Sequence, residues 1–333
     1  MNYKRKIAAL LLVVMMMTLG GCKDKNVEVV WSQEMGEQTL FKIEDKECSM
    51  ALAKLLLATY KNLYVQAYGE DIWLQQELSV DIEAYLKEVV VSQLAQIQTM
   101  CLLANEQEVV LSGNEKKSVR NAAADYIATL NEAEMEELGV TEEEIETFFM
   151  DYALANKLYA KLTSDIDQEV SDNEARIMEV MCVVVEDEET AQVVKQRLED
   201  GGDFQATINY YSIEEDGNRF LNWRDLSKEE KDALNLLENG SISDIIYANE
   251  KYYVYKCVNK INRELTEENK LLILEERAKT AFDDVYDEFA KKLKSGYNEE
   301  EWDKYVIDFS ENVVTNQLFA IYDEQCGYIN SGD

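Results

Sequence analysis

The chain has 333 residues and contains neither histidine nor proline. Without an imidazole, Ser-His-Asp and Cys-His nucleophilic catalysis are excluded, and so is any histidine-ligated metal. Without proline, no slow X-Pro step limits the folding of the chain itself. Cysteine is sparse. Besides Cys22 there are Cys48, Cys101, Cys182, Cys257 and Cys326, an odd number with no close pairs. Neither a disulfide framework nor a zinc site fits that spacing, and single cysteines in apolar contexts read as small buried hydrophobes. Positive charge is also scarce, with 33 Lys and Arg against 67 Asp and Glu. Such a surface repels nucleic acid and anionic headgroups, so no nucleic-acid partner is expected. The carboxylates are scattered over helical faces, which reads as solubility and leaves open a preference for basic or unfolded clients.

What is present begins with a secretory signal. Lys4, Arg5 and Lys6 precede an apolar run from Ile7 to Met17, and Leu19-Gly20-Gly21-Cys22 follows. The run is well short of the roughly 20 residues that cross a bilayer as a helix. The last four residues resemble the lipobox of bacterial lipoproteins. That resemblance implies cleavage after residue 21 and a lipid on Cys22, whose two acyl chains would anchor the protein stably. The expected location is extracytoplasmic, at the outer face of the bacterial cytoplasmic membrane. Losing residues 1–21 removes three positive charges and leaves 30 basic against 67 acidic residues, a net charge of −37.

At 47% hydrophobic residues the chain can bury real cores, and its length suggests more than one domain. Residues 22–44 read as a tether with extended segments at Val27–Trp31 and Thr39–Ile43. Helical periodicity then takes over, with Met50, Ala53, Leu57, Tyr60 and Tyr64 on one face of a helix over Lys46–Tyr68. Leu86, Val90, Leu94, Ile97 and Cys101 mark a second helix, about Val80–Asn105. Ser112-Gly-Asn-Glu115 is a capping box for a third, through Leu130, and Thr141-Glu-Glu-Glu144 for a fourth. Residues 45–165 therefore read as all-helical. Ser171-Asp-Asn-Glu174 looks like a further helix start, but Val180–Val185 is a β-rich run, and a helix over Glu188–Asp200 ends at Gly201-Gly202. Ser227–Glu230 opens a short helix that Gly240 stops. Strands over Ile242–Tyr247 and Tyr252–Val258 join at Asn249-Glu250. Residues 266–293 read as a long helix, and residues 300–323 as helical too. This tail cannot make a core of its own, so it is expected to fold back onto the first helical block.

Met181–Val258 resembles the parvulin type of peptidyl-prolyl isomerase, and the whole layout resembles the exported PrsA and SurA foldases. The resemblance rests on Asp187-Glu-Glu-Thr-Ala191, Leu198-Glu-Asp-Gly-Gly-Asp-Phe204, Tyr210-Tyr-Ser212, Gly240-Ser-Ile-Ser-Asp244 and Tyr252-Tyr-Val-Tyr-Lys256, in this order and spacing. It implies an α+β protein: a helical chaperone lobe built from N- and C-terminal segments, with an inserted small parvulin-like α/β domain. The implied divisions are signal peptide 1–21, tether 22–44, helical domain 45–168, parvulin-like domain 169–262 and C-terminal helices 263–333. Unfolded or exported polypeptides are the implied partners.

The implied reaction is rotation about an X-Pro bond, against a barrier of about 18–20 kcal/mol. It needs an apolar pocket for the proline ring and hydrogen bonds that favour the twisted amide. It needs no cofactor, and none is expected. Both family histidines are replaced here. Cys182 stands at the first and Tyr253 at the second, while Glu214 falls at the family's Cys or Asp position. Thiol, phenol and carboxyl can each donate or accept when suitably protonated. Leu226 and Leu234 are the apolar candidates for the pocket, around the charged run Lys228-Glu-Glu-Lys-Asp232. The same residues also fit plain roles: Cys182 as a packed strand residue, Tyr253 as a hairpin tyrosine, Glu214 as a solvated turn carboxylate. In the family the strands carrying Cys182 and Cys257 pair, which would allow a disulfide between them. The resemblance thus implies a membrane-anchored foldase or chaperone whose isomerase activity is open. The alternative is a catalytically inactive lipoprotein scaffold or assembly factor for one specific partner.

Overall fold

A computed structural model describes residues 35–70, 81–214 and 216–331. Cys22, the signal segment and the extended stretch at Val27–Trp31 lie outside the described residues. The chain divides into two compact units, Met1–Asp165 with Ala281–Asp333, and Ile166–Thr280 between them. The architecture is the α+β arrangement expected, a helical unit assembled from both ends of the chain with a sheet-bearing unit inserted. No described helix is long and apolar enough to cross a membrane.

The first unit opens with β1 (Thr39–Ile43) and β2 (Lys46–Ser49), followed by α1 (Met50–Tyr68), α2 (Ile82–Glu106), α3 (Gly113–Ile127), α4 (Glu132–Leu138) and α5 (Glu142–Thr163). Two expectations are corrected here. Residues 45–165 are not all-helical, because Lys46–Ser49 pairs antiparallel with β1, and α1 starts only at Met50 under the Ser49 cap. The third helix stops at Ile127 instead of Leu130, and Asn131 caps the separate short α4. The capping boxes at Ser112 and Thr141 form as read. Each hydroxyl accepts the N3 amide while the N3 glutamate accepts from the cap, satisfying helix-end donors that would otherwise be orphaned.

The C-terminal segment completes this unit. β7 (Ser295–Tyr297) adds to β1, giving the sheet order β2-β1-β7. α10 (Glu299–Lys304) buries Trp302, and α11 (Leu318–Cys326) buries Leu318, Phe319 and Tyr322. The Phe319 ring lies 5.6 Å from Tyr60 of α1 and 5.7 Å from Tyr152 of α5, and Tyr322 lies 4.7 Å from Tyr152. Burying each such ring is worth roughly 1.5–3 kcal/mol, so the tail supplies a large share of the common core.

Residues 300–323 are not one helix. Between α10 and α11, residues 305–317 form an irregular strap whose backbone is claimed by helix side chains. The Glu134 carboxylate of α4, itself 1% exposed, accepts from the Val314 and Thr315 amides at 2.8 and 2.7 Å. Its other oxygen accepts from Asn131 N at 2.9 Å. Glu137 accepts from Ser310 N at 2.8 Å, and Glu83 of α2 from Ile307 N at 3.1 Å. Asn62 of α1 donates to the Val313 and Thr315 carbonyls, Asn131 to Asn312, and the Lys87 ammonium of α2 to Asp303 and Tyr305. These bonds satisfy main-chain groups that a helix would have paired internally, so the helical reading loses to a tertiary solution.

The second unit is a four-stranded antiparallel sheet in the order β4-β3-β6-β5, built from β3 (Ile177–Val185), β4 (Asn218–Asn222), β5 (Ile246–Ala248) and β6 (Lys251–Asn259). α6 (Glu188–Glu199) and α7 (Phe204–Tyr211) cover one face, and α8 (Lys228–Leu234) the other. α6 ends at Gly201, which takes φ +87°, and a Cβ on Gly202 would stand 2.7 Å from the Arg197 carbonyl oxygen. The β5–β6 hairpin turns on Asn249 and Glu250, both with positive φ, which is the two-residue turn whose twist suits a hairpin. The apparent helix start at Ser171 is only a turn. Its hydroxyl does accept the Glu174 amide, but the chain leads straight into β3, which pairs on both edges. β5 is shorter than the expected Ile242–Tyr247, with Ile242 making one isolated bridge to Lys256. The long helix α9 runs from Arg263 to Ala290 rather than from 266 to 293. In this unit its Asn269 donates to the Ala175 carbonyl, and Arg277 holds Glu174 with two bonds of 2.8 and 3.0 Å.

Glu134 links a helix cap to the strap, so its loss strands three backbone donors. Glu134→Ala is expected to lower unfolding free energy by about 3 kcal/mol in urea titrations. Glu134→Gln keeps one acceptor oxygen and should fall between the two. A loss below about 0.5 kcal/mol for Glu134→Ala, the range of an ordinary surface change, would contradict this assignment.

Candidate functional site

Of the family-aligned positions, Cys182 and Tyr253 lie on the α8 face of the second unit. Along β3 the side chains alternate, so Met178, Val180, Cys182 and Val184 face α8 while Val183 and Val185 face α6 and α7. Cys182 pairs with Tyr255 across the β3–β6 ladder, and Val184 with Tyr253. Period-two alternation therefore puts Cys182, Tyr253 and Tyr255 on one face. The two tyrosine rings stack at 5.8 Å with planes 5° apart.

Cys182 is fully buried, and its Sγ donates to its neighbour's Val183 carbonyl at 3.7 Å. Burial pushes the thiol up to about 12, with Arg219 opposing and Glu214 reinforcing the shift. It is therefore a neutral thiol at ordinary pH and no nucleophile. Burial also raises the Tyr253 phenol, against the pull of Lys251. Glu214 sits in the loop before β4, where it pairs with Arg219 and, at 3.4 Å, with Lys251. Ser212 fixes that loop to the sheet, its hydroxyl accepting from both Val184 N at 3.2 Å and Glu214 N at 3.3 Å. Cys182 and Tyr253 share the α8 face, and the charges of Glu214 and Arg219 act on both. The three positions do not bond to one another: Cys182 donates within its own strand, and Glu214 is held by Arg219 and Lys251.

Leu234 of α8 is fully buried in the middle of this cluster, and Leu226 packs half-buried at its rim. The face is closed by its own side chains. A second polar set, invisible to the family alignment, lies within it. Tyr255 is 1% exposed, and its hydroxyl donates to Glu230 at 3.2 Å. Glu230 is the N3 residue of the α8 capping box and also accepts from Ser227 N and Oγ at 3.0 and 2.8 Å. Ser243 Oγ accepts the Tyr255 amide at 2.9 Å. Burial drives the Tyr255 phenol far above its usual value, so it serves as a donor. The signal for Tyr255 was available in Tyr252-Tyr-Val-Tyr-Lys256, since residues two apart share a face. Nothing local tied Glu230 to it.

Arg176 was also missed. It is 3% exposed, lies 3.2 Å from the centre of the Trp223 ring and donates to Asn235, with no carboxylate beside it. Burial lowers its guanidinium from the usual value. Stacking on an aromatic face is an arrangement that a guanidinium tolerates better than an ammonium. Among the described residues, no group of three or more Cys, Asp and Glu is arranged to hold a metal. The disulfide suggested between Cys182 and Cys257 is not formed. Both thiols are free, and Cys257 faces Val180, one residue pair along the face from Cys182 and Tyr255.

No family model matches the chain. Over 194 residues it is 27% identical to the foldase protein PrsA 3 of Bacillus cereus, covering 56% of this chain and 66% of that protein. Over 181 residues it is 25% identical to the foldase protein PrsA of Caldanaerobacter subterraneus, covering 48% and 54%. The chain thus spans just under two thirds of one relative's length and about half of the other's. A crystal structure of the peptidylprolyl isomerase PrsA from Bacillus cereus covers 72% of this chain and 92% of that one at 19% identity, with a TM-score of 0.36.

All five described cysteines are buried and free. A chain lacking residues 1–22 should therefore react slowly with a thiol reagent at pH 8 while folded and release five thiols on denaturation. Three thiols would reinstate a bridge.

Proposed function

We propose that this chain, a distant homologue in the PrsA foldase and SurA-like chaperone family, assists the folding of exported proteins from the outer face of the membrane, anchored through lipid on Cys22. Its helical unit holds unfolded segments, and the inserted sheet unit contributes little or no isomerase chemistry. The observation that carries the reading is the shared sequence with two PrsA foldases, on a chain whose helical unit is assembled around an inserted sheet unit. The division of labour is supported by the α8 face. Where a proline ring would have to sit, Leu234 and Cys182 are fully buried and Tyr255 is 1% exposed. The thiol at the first family position is neutral, and the carboxylate at the third is committed to Arg219 and Lys251. Preorganised donors aimed at a twisting amide are the main requirement for catalysis here, and the Tyr255 hydroxyl and Cys182 thiol donate within the cluster instead.

Two measurements test the reading. The mature chain should suppress aggregation of an unfolded client at stoichiometric amounts, and an absence of suppression would contradict it. In a proline-tetrapeptide assay the wild type and a Cys182→Ala/Tyr253→Phe double variant should both run at the uncatalysed rate. A wild-type rate well above background that the double variant loses would restore the three residues as an isomerase site. For the anchor, Cys22→Ser should release the protein from the membrane fraction, since the two acyl chains supply the binding. Retention of the variant would contradict lipidation there.

A further inference from the structure

The strap of residues 305–317 is held through its main chain as well as by Tyr305, Ile307, Phe309 and Val313, which pack against the core. Carboxylates of Glu83, Glu134 and Glu137 take its amides, while Asn62, Lys87 and Asn131 donate to its carbonyls. Several of its own side chains point away, with Val306 65% and Val314 61% exposed. A groove that grips N–H and C=O groups and takes alternate apolar side chains reads an extended segment, much as a sheet edge does for an added strand. We infer that this groove, formed by α1, α2 and α4, is the site where an unfolded client segment is held in extended form, and that the strap is its built-in competitor. The inference rests on the client-holding function proposed above and names where the holding takes place.

The chemistry of the occupant follows from the strap that fills the groove. Three glutamates face backbone amides, so the preferred segment is extended and has free N–H groups at those positions. A proline there would forfeit a bond. Apolar anchoring comes from the alternate residues Tyr305, Ile307 and Phe309, which pack against the core, and from Val313, which is 5% exposed. The strap is tied at both ends, by α10 and α11, and so competes at an effective concentration on the order of millimolar. Only segments presented at high local concentration displace it, which keeps the groove shut against dilute, folded proteins.

The test uses the full chain in a Cys22→Ser background, with Glu137→Cys and Ser310→Cys introduced and joined by a short bismaleimide. The five native thiols described are buried and out of the reagent's reach. The probe is reduced, carboxymethylated α-lactalbumin carrying a fluorophore, and circular dichroism checks that the cross-linked protein stays folded. The open double variant should bind the probe at least as tightly as wild type, and the cross-linked form about tenfold more weakly or worse, because the strap can no longer leave. Val313→Asp, which drives a carboxylate against the strap's buried anchor, should bind the probe more tightly than wild type. Equal binding by the open and cross-linked forms would overturn the groove while leaving client holding intact. No binding by any form, Val313→Asp included, would overturn both.

Discussion

A single buried carboxylate, Glu134, holds one end of α4 and two amides of the C-terminal strap together, and the helical unit is not complete without that junction. It shows in small what the whole unit requires. The N-terminal helices leave polar side chains and aromatic surface that only the last fifty residues can satisfy. Asn62 reaches Thr315 across 253 positions of sequence, and Tyr60 stacks on Phe319. Contacts so distant along the chain must be closed before they stabilise anything, and the closure cost rises only slowly with the length of what lies between. An insertion of some hundred residues at 166–280 is therefore cheap, provided both flanks end in the same unit, as they do.

The inserted unit is stabilised differently. Its sheet is buried on both faces, and its polar groups are paired locally: Tyr255 with Glu230, Ser243 with the Tyr255 amide, Glu214 with its two cations. Packing of this kind fills the α8 face around Cys182 and Tyr253. Cysteine and tyrosine at those positions fill volume and add hydrophobic burial, whereas an unpaired ionisable group there would be costly. The strongly acidic composition has no concentrated expression at this site. It is spread over surfaces where individual ion pairs such as Arg120–Glu146 add little.

How much was legible in the sequence depends on how local each signal was. The capping boxes at Ser112 and Thr141, the helix start at Ser227, the glycine stop after α6 and the Asn249-Glu250 hairpin are decided within four or five residues, and each formed as read. β2 is a polar tetrapeptide that becomes a strand only because β1 lies beside it. The strap carries enough apolar residues to pass for a helix, and partners more than 150 positions away decide otherwise. At the candidate site, Cys182, Tyr253, Leu226 and Leu234 all belong to one cluster. Whether that face is open or filled depends on α8 and Tyr255, a three-dimensional property that no motif spells out.

A strap that completes the helical unit yet competes with a client must be able to leave without unfolding the rest. Hydrogen exchange at the amides of Ile307, Ser310, Val314 and Thr315 tests this most directly. Their protection should be clear in the native protein, should be lost at a lower free energy than that of core amides in α5 such as Tyr152, and should fall further when an unfolded client is bound. If these four amides exchange only with global unfolding, with or without client, the strap is a fixed part of the core and does not compete with a client.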